Sequence, residues 1–165
     1  MTVLVAHARG SASAVLKNLS PKGLWLYAGT DERQAARWAE VLGPGFSRID
    51  LTSRIDAEAA RLRGPYLGWL ARLAERYRSD PHWWCGEISE RNTLLSPLYL
   101  RVCCLSAIRR VFETVEISLV VAESADLVSG LELVCERASA HYSVAHPSWR
   151  WIDRGSDLAH LMAGW

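Results

Sequence analysis

Residues 23–51 read GLWLYAGTDERQAARWAEVLGPGFSRIDL, and the apolar period in this stretch changes twice. Gly23 to Gly29 is apolar, aromatic-rich and bounded by glycines, which predicts a short buried strand. Thr30-Asp31 then opens a helix. Gln34 lies three residues beyond Asp31, the spacing of a capping box, and Ala35, Trp38, Ala39, Val41 and Leu42 form its apolar face before Gly43-Pro44-Gly45 stops it. Phe46 to Leu51 alternates apolar and polar residues, as a second strand does. Strand, helix and strand together predict a β-α-β unit.

Downstream, Ile55, Ala59, Leu62, Tyr66, Trp69, Leu73 and Tyr77 are spaced as on one helical face. Gly64-Pro65 interrupts that face, because proline removes a helical hydrogen bond and clashes with the preceding turn. Two helices, or one kinked there, are expected. Ser96-Pro97 opens a further apolar helix to about Phe112, with Ser96 as N-cap. Glu116 to Ala122 (EISLVVA) is a strand buried on both faces, and Ser124 caps a helix over Ala125 to Ala138. His141 to Ala145 (HYSVA) reads as a fourth strand and Asp153 to Met162 as a last helix. The expected fold is α/β: a Rossmann-like, mostly parallel sheet of about four strands, with a helical insertion at about 53–113 between the second and third. Residues 1–22 read as a leader that need not be ordered, and 23–165 as a single domain.

The 165-residue chain carries 19 Lys+Arg against 18 Asp+Glu, is 50% hydrophobic and has a formal net charge of +1. A chain of this size buries enough apolar surface to fold without staples, and its composition excludes disordered and fibrous classes. Near-neutral charge argues against nucleic acid as a partner, since that affinity is built from surplus phosphate-neutralising side chains. Only Lys17 and Lys22 among the 19 cations are lysine, which fits a GC-rich gene or guanidinium forks that grip phosphate or carboxylate. Eight tryptophans mark a demanding core or a stacking surface for a sugar-like ligand. Cys85, Cys103, Cys104 and Cys135 form no CxxC pair, so buried free thiols of a reducing cytoplasm are expected, with no metal site and no cofactor. The longest apolar stretch, Pro97 to Ile108, is interrupted by Arg101 and falls short of the ~20 residues of a membrane span. The short apolar run near the N-terminus lacks a preceding basic region, so a cytoplasmic location is expected. The apolar terminus Ala163-Gly164-Trp165 reads as the end of a piece of something longer.

No GxGxxG, GxxxxGK[ST], HExxH or GxSxG motif is present, and the five histidines lack metal-ligand spacing. In an open parallel sheet, ligands sit outside the carboxyl ends of the strands. That makes Gly29-Thr30-Asp31, Asp50-Leu51-Thr52, Glu123-Ser124 and Ala145-His146 the candidate rim. Thr30 and Ser124 serve equally well as helix caps. Glu123, a carboxylate at a strand end, suits a base, a sugar-hydroxyl contact or an arginine pair. Residues 82–101 concentrate stacking area, carboxylates, a guanidinium fork and an amide. If they are helical, Trp83, Glu87 and Glu90 share a face, with Trp84 and Ile88 on the neighbouring one. The same pair of tryptophans equally plugs the insertion onto the sheet.

Residues 81–113, PHWWCGEISERNTLLSPLYLRVCCLSAIRRVFE, preceded by a β-α-β unit and followed by a strand ending in Glu-Ser, resemble the N-terminal region of bacterial surface carbohydrate (O-antigen type) biosynthesis proteins. These are glycosyltransferase-like. The resemblance covers Gly23 to about Ala145, and its specific part is Trp83-Trp84, Glu90-Arg91-Asn92 and Ser96-Pro97. It implies the acceptor-side half of a GT-B type transferase, inactive alone, with a sugar or nucleotide-sugar ligand and a C-terminal donor-binding domain outside this chain. Under that reading Glu90 and Glu123 are the catalytic candidates. Trp84 stacks on a sugar, Glu87 and Asn92 meet hydroxyls, Arg91 and Arg101 hold phosphate or carboxylate, and Thr30 and Ser124 line the rim. The alternative is a non-enzymatic α/β interaction module that binds a protein partner through the Ile55 to Tyr77 face.

Overall fold

Val3, Leu4, Val5 and Ala6, within the segment expected to be a leader, are buried strand residues. A computed structural model describes residues 2–10, 12–84, 97–137 and 141–145. The elements in chain order are β1 (Thr2–His7), α1 (Ala12–Leu16), β2 (Gly23–Ala28), α2 (Glu32–Leu42), β3 (Phe46–Arg48), α3 (Thr52–Arg76), α4 (Pro81–Trp84), α5 (Leu98–Phe112), β4 (Leu119–Ala122), α6 (Ala125–Arg137) and β5 (His141–Ala145). Two compact units result, one formed by Met1–Leu51 with Ile108–Trp165 and the other by Thr52–Ala107. β1 and α1 both lie within residues 1–22, the segment read as a leader. The expected final helix, residues 153–162, lies outside the described residues.

The first unit is an α/β sheet of five strands in the order β3-β2-β4-β1-β5, and every pairing in it is parallel. The expected count of about four omitted β1, which pairs with β4 from Leu4 against Leu119 to His7 against Ala122. Strand side chains alternate between faces. Leu4, Ala6, Trp25, Tyr27, Leu119 and Val121 pack with Val15 of α1 and Ala35, Trp38 and Leu42 of α2. Val5, Leu26 and Val120 occupy the alternate positions and are fully buried as well. β4 is interior, covered on both faces, so it reads as an unbroken LVVA run. β3 and β4 are shorter than the runs 46–51 and 116–122 suggested.

Asp31 is the N-cap of α2, its Oδ1 accepting from the backbone N–H of Arg33 at 3.0 Å and Gln34 at 3.2 Å. Gly43 ends the helix with φ of 71°, in the left-handed region that favours glycine. Of the expected apolar face, Ala35, Trp38 and Leu42 are buried, whereas Ala39 and Val41 are exposed. α6 buries Leu127, Leu131, Val134 and Cys135.

Strand order and handedness fix where the sheet opens. From β1 the chain passes over β4 to β2 and then β3; from β4 it passes over β1 to β5, in the opposite direction. Right-handed crossovers therefore send the chain leaving β1 and β2 to one face, and the chain leaving β4 to the other. The carboxyl end of β4 lies between two neighbours whose connections diverge from its own. This is the switch point at which open parallel sheets bind ligands.

The second unit is helical. α3 runs unbroken through Pro65, so of the two expected alternatives, two helices or one helix carrying the proline, the chain forms a single helix. The carbonyl that loses its partner is that of Arg61, and Arg61, Gly64 and Pro65 are all exposed, where water can replace the bond. Glu58 is buried and paired: its Oε2 lies 2.6 Å from Arg61 Nη2 and accepts from Ser106 Oγ at 2.6 Å. Tyr99 donates its hydroxyl to the Ala59 carbonyl, and its ring lies 4.7 Å from that of Tyr66.

Candidate functional site

The backbone at the carboxyl ends of β1, β2 and β4 is stitched together first. Ala8 N–H donates to the Ala122 carbonyl at 2.7 Å and Glu123 N–H to the Ala28 carbonyl at 2.9 Å. Glu123 then reaches across to the β2–α2 turn. Its Oε2 accepts from Thr30 N–H at 2.5 Å, with Thr30 Oγ1 and Asp31 N–H at 3.4 Å. A carboxylate is thus already seated on the amides that precede α2, where an anionic ligand would otherwise find donors. Glycine is required at position 29, since an added Cβ would sit 2.5 Å from the Cβ of Glu123.

His7 closes β1 and is buried. Its Nδ1 accepts from Arg9 N–H at 3.1 Å, which places the proton of the neutral imidazole on Nε2. Burial first, and the Arg9 charge second, lower its pKa below the usual histidine value. The loop continues with Gly10 N–H donating to the His7 carbonyl at 2.8 Å.

Beside this loop is a cleft of about 80 Å³ lined by Ala8, Gly10, Ala12, Gln34, Arg37, Trp38 and Val41. The Trp38 indole is held by its Nε1 donating to the Ala8 carbonyl at 2.9 Å, so the ring wall is fixed. Asp31 has a lowered pKa because the Gln34 backbone N–H holds its charged form, with the Gln34 side-chain amide and the Arg33 N–H adding to it. The Gln34 Oε1 is buried and has no partner among the described residues.

On the flank, Arg48 forms a two-pronged pair with Glu32 at 2.7 and 2.8 Å, and its guanidinium lies 5.9 Å from the ring centroids of both Trp25 and Tyr27. The pair depresses the Glu32 pKa and raises that of Arg48 through the hydrogen bond between them. Tyr27 is buried, and its hydroxyl has no partner among the described residues. Burial foremost, then the Glu123, Asp31 and Glu32 carboxylates, push its pKa up to about 12.

Among the residues expected to carry function, the structure brings Thr30 and Glu123 into contact. Ser124 acts as a cap, its Oγ accepting from Leu127 N–H at 3.4 Å and its carbonyl from Val128 N–H at 3.1 Å. Arg101 is half-buried on α5 in the helical unit. Trp84 is the last residue of α4, and its side chain, like Glu87, Glu90, Arg91, Asn92 and His146, lies outside the described residues. The neighbouring Trp83 stacks on Tyr77 with centroids 5.8 Å apart. Cys103, Cys104 and Cys135 are buried and form no disulfide, and burial pushes the Cys103 and Cys135 thiols up, the latter to about 11. Among the described residues no His, Cys, Asp and Glu cluster can hold a metal, and no helix is long and apolar enough to cross a membrane.

Reading the residues singly missed His7, Gln34 and Arg37. For His7 the signal was present, an apolar strand-length run followed by Ala8-Arg9-Gly10. For Gln34 and Arg37 there was none, because both read as polar positions of an amphipathic helix.

Fold and geometry together define an open, parallel α/β sheet with a polar cleft beside its switch point. No protein-family model matches the sequence, and neither curated proteins nor solved structures yield a match.

Proposed function

We propose that the sheet unit is a glycosyltransferase-like binding domain that presents a sugar beside the carboxyl ends of β1 and β4. It would serve surface-polysaccharide assembly on the acceptor side, with the donor half of the reaction supplied by another domain or chain. The observation that carries this reading is the coincidence of the switch point at β4 with a cleft that Gln34 and Arg37 line beside the fixed indole of Trp38. The resemblance of residues 81–113 narrows the ligand from any polar molecule to a carbohydrate. A volume of about 80 Å³ is well below the roughly 300–1,000 Å³ of a pocket that engulfs its ligand, so the cleft takes one substituent of a larger molecule. Glu123 acts here as a positioning residue. The role of proton acceptor is proposed for Glu90, with Trp84, Glu87, Arg91 and Asn92 as acceptor contacts.

Titration of the ¹⁵N-labelled chain with monosaccharides and nucleotide sugars tests the reading. Amide shifts in residues 7–12, 30–41 and 123–124 are expected with at least one sugar, without transfer activity from the chain alone. Absence of shifts with every sugar would overturn it.

A specific observation also favours a second reading, a protein-interaction module. The expected seam of α3 is only partly covered: Leu62 is buried, but Ile55, Tyr66, Trp69 and Leu73 are half-buried and Tyr77 is 40% exposed. Leu67 and Leu100 of the same unit are 44% and 42% exposed. Light scattering that returns a strict monomer, combined with loss of sugar binding on cleft substitution, rejects that module in favour of the first reading.

A further inference from the structure

The outward face of the α1–α2 layer carries a charge that the chain as a whole does not. Arg33, Arg37 and Val41 recur at every fourth residue of α2, so they form one exposed row along it. The cleft beside that row is lined also by Gly10 and Ala12, which bring to the same surface Arg9 of the β1–α1 loop and Leu16, one turn beyond Ala12 on α1. Lys17 follows α1 directly. Arg9, Lys17, Arg33 and Arg37 are all exposed, and none forms an ion pair among the described residues. Of the carboxylates on α2 and its cap, Asp31 is held by the backbone of its own helix and Glu32 by Arg48, which leaves Glu40 to oppose the four cations. Charges that nearly cancel over 165 residues are therefore strongly unbalanced here.

Two aliphatic side chains stand among these cations. Leu16 is 37% and Val41 46% exposed, and both adjoin Ala12, Val41 by sharing the cleft wall with it and Leu16 as its neighbour four positions on. A protein partner calls for a broader apolar centre anchored by aromatic side chains, and single-stranded nucleic acid calls for exposed rings on which bases stack. The aromatic residue of these two helices, Trp38, is buried and serves neither. An anionic membrane requires what is present: cations spread over a surface to meet headgroup phosphates, and a few aliphatic tips for the boundary between headgroups and acyl chains. We infer that the α1–α2 face docks the sheet unit onto an anionic lipid surface, with Arg9, Lys17, Arg33 and Arg37 at the headgroups and Leu16 and Val41 reaching beneath them. The docking stands whether or not the cleft takes a sugar.

The test is flotation of the full chain with vesicles of phosphatidylcholine alone and of an equal mixture with phosphatidylglycerol, at low and at high salt. Binding is expected to the mixed vesicles only, and should weaken steeply with salt because exposed charges are screened. Each of Arg9→Ala, Lys17→Ala and Arg33→Ala, none of which lines the cleft, should weaken it about fivefold. Leu16→Ser with Val41→Ser should also weaken it about fivefold while leaving the salt dependence unchanged, and Glu40→Gln should tighten it. Arg54→Ala with Arg72→Ala, which removes two exposed arginines of the helical unit, should leave it unchanged. Circular dichroism checks that every variant is folded. Equal binding to neutral vesicles, or none to the mixed vesicles at low salt, overturns the inference. A loss on replacing Arg54 and Arg72 that matches the loss at Arg9 and Arg33 overturns it too, since general cationic attraction would then suffice. Capture of polyglutamate or single-stranded DNA in preference to the mixed vesicles assigns the face to an acidic protein or a nucleic acid and overturns the membrane.

Discussion

Replacing Glu123 separates a structural carboxylate from a chemical one. The side chain makes one short contact, 2.5 Å to Thr30 N–H, and two at 3.4 Å that lie at the weak edge of hydrogen bonding. A hydrogen bond to a charged group contributes about 1.5–3 kcal/mol, and Thr30 is exposed, so water recovers part of the loss. Glu123→Ala should therefore cost about 1–2 kcal/mol, and Glu123→Gln, which keeps a neutral acceptor, about half that. With a urea dependence of about 2 kcal/mol per molar, the alanine variant unfolds at about 0.5–1 M less urea. Hydrogen exchange gives the local readout: the Thr30 amide should exchange faster in the alanine variant while β4 amides keep their protection. Gly29→Ala should destabilise at least as much as Glu123→Ala, because its Cβ would lie 2.5 Å from the Glu123 Cβ, an atom no rotamer change removes. A Glu123→Ala variant within about 0.3 kcal/mol of wild type, with unchanged Thr30 exchange, would refute the clamp.

His7 has a folded pKa below the unfolded value of 6.5, so the unfolded state binds the extra proton first. The stability it contributes is complete above pH 6.5 and is lost as pH falls from there through the lowered folded pKa; His7→Asn, which keeps an acceptor for Arg9 N–H, should flatten urea midpoints measured between pH 7 and 5. Tyr27 reverses the sign: its raised pKa, about 12, means stability is complete below pH 10 and declines as pH rises from 10 towards 12. Tyr27→Phe should remove that alkaline decline and be neutral or stabilising by up to about 1 kcal/mol at pH 7, since it deletes a buried hydroxyl without a partner among the described residues; a loss above about 2 kcal/mol would show the hydroxyl bonded. Pro65→Ala should restore the bond to the Arg61 carbonyl and raise the thermal midpoint, by an amount corresponding to about 1–3 kcal/mol; a lowered midpoint would show that the proline geometry is needed.

Local chemistry was legible wherever it is written within a few residues. The Asp31 cap, the Gly43 stop and the strand character of 23–28 and 119–122 follow from composition and spacing, because each depends only on backbone groups nearby. β1 was missed because a four-residue apolar run, Val3 to Ala6, carries the same pattern whether it is a leader or a strand. Its strandness comes from burial between β4 and β5, whose paired residues are 115 and more positions away in the chain. Pro65 left two readings open, two helices or one. Its cost is real but falls on an exposed carbonyl, and no local signal distinguishes an exposed helix surface from a buried one.

The site was harder to read because strand order is not encoded in periodicity. The rim was sought at strand ends, yet a β-α-β pattern alone does not say that β4 lies between β1 and β2. Only that order brings Glu123 to Thr30 across more than ninety residues, and the same contact changes what the rim can do. Asp31 and Glu123 occupy the amides at the start of α2, and Ser124 caps α6, so the carboxylates and hydroxyls that looked most like ligand contacts are largely used by the fold. What the fold leaves over lies a turn further along α2, where Gln34 and Arg37 face a cleft. A polar helix surface becomes a recognition site only when a loop from another strand, here Ala8 to Gly10 after β1, builds the opposite wall. Substituting Gln34 or Arg37 should therefore change ligand binding with little effect on stability, whereas substituting Glu123 should do the reverse.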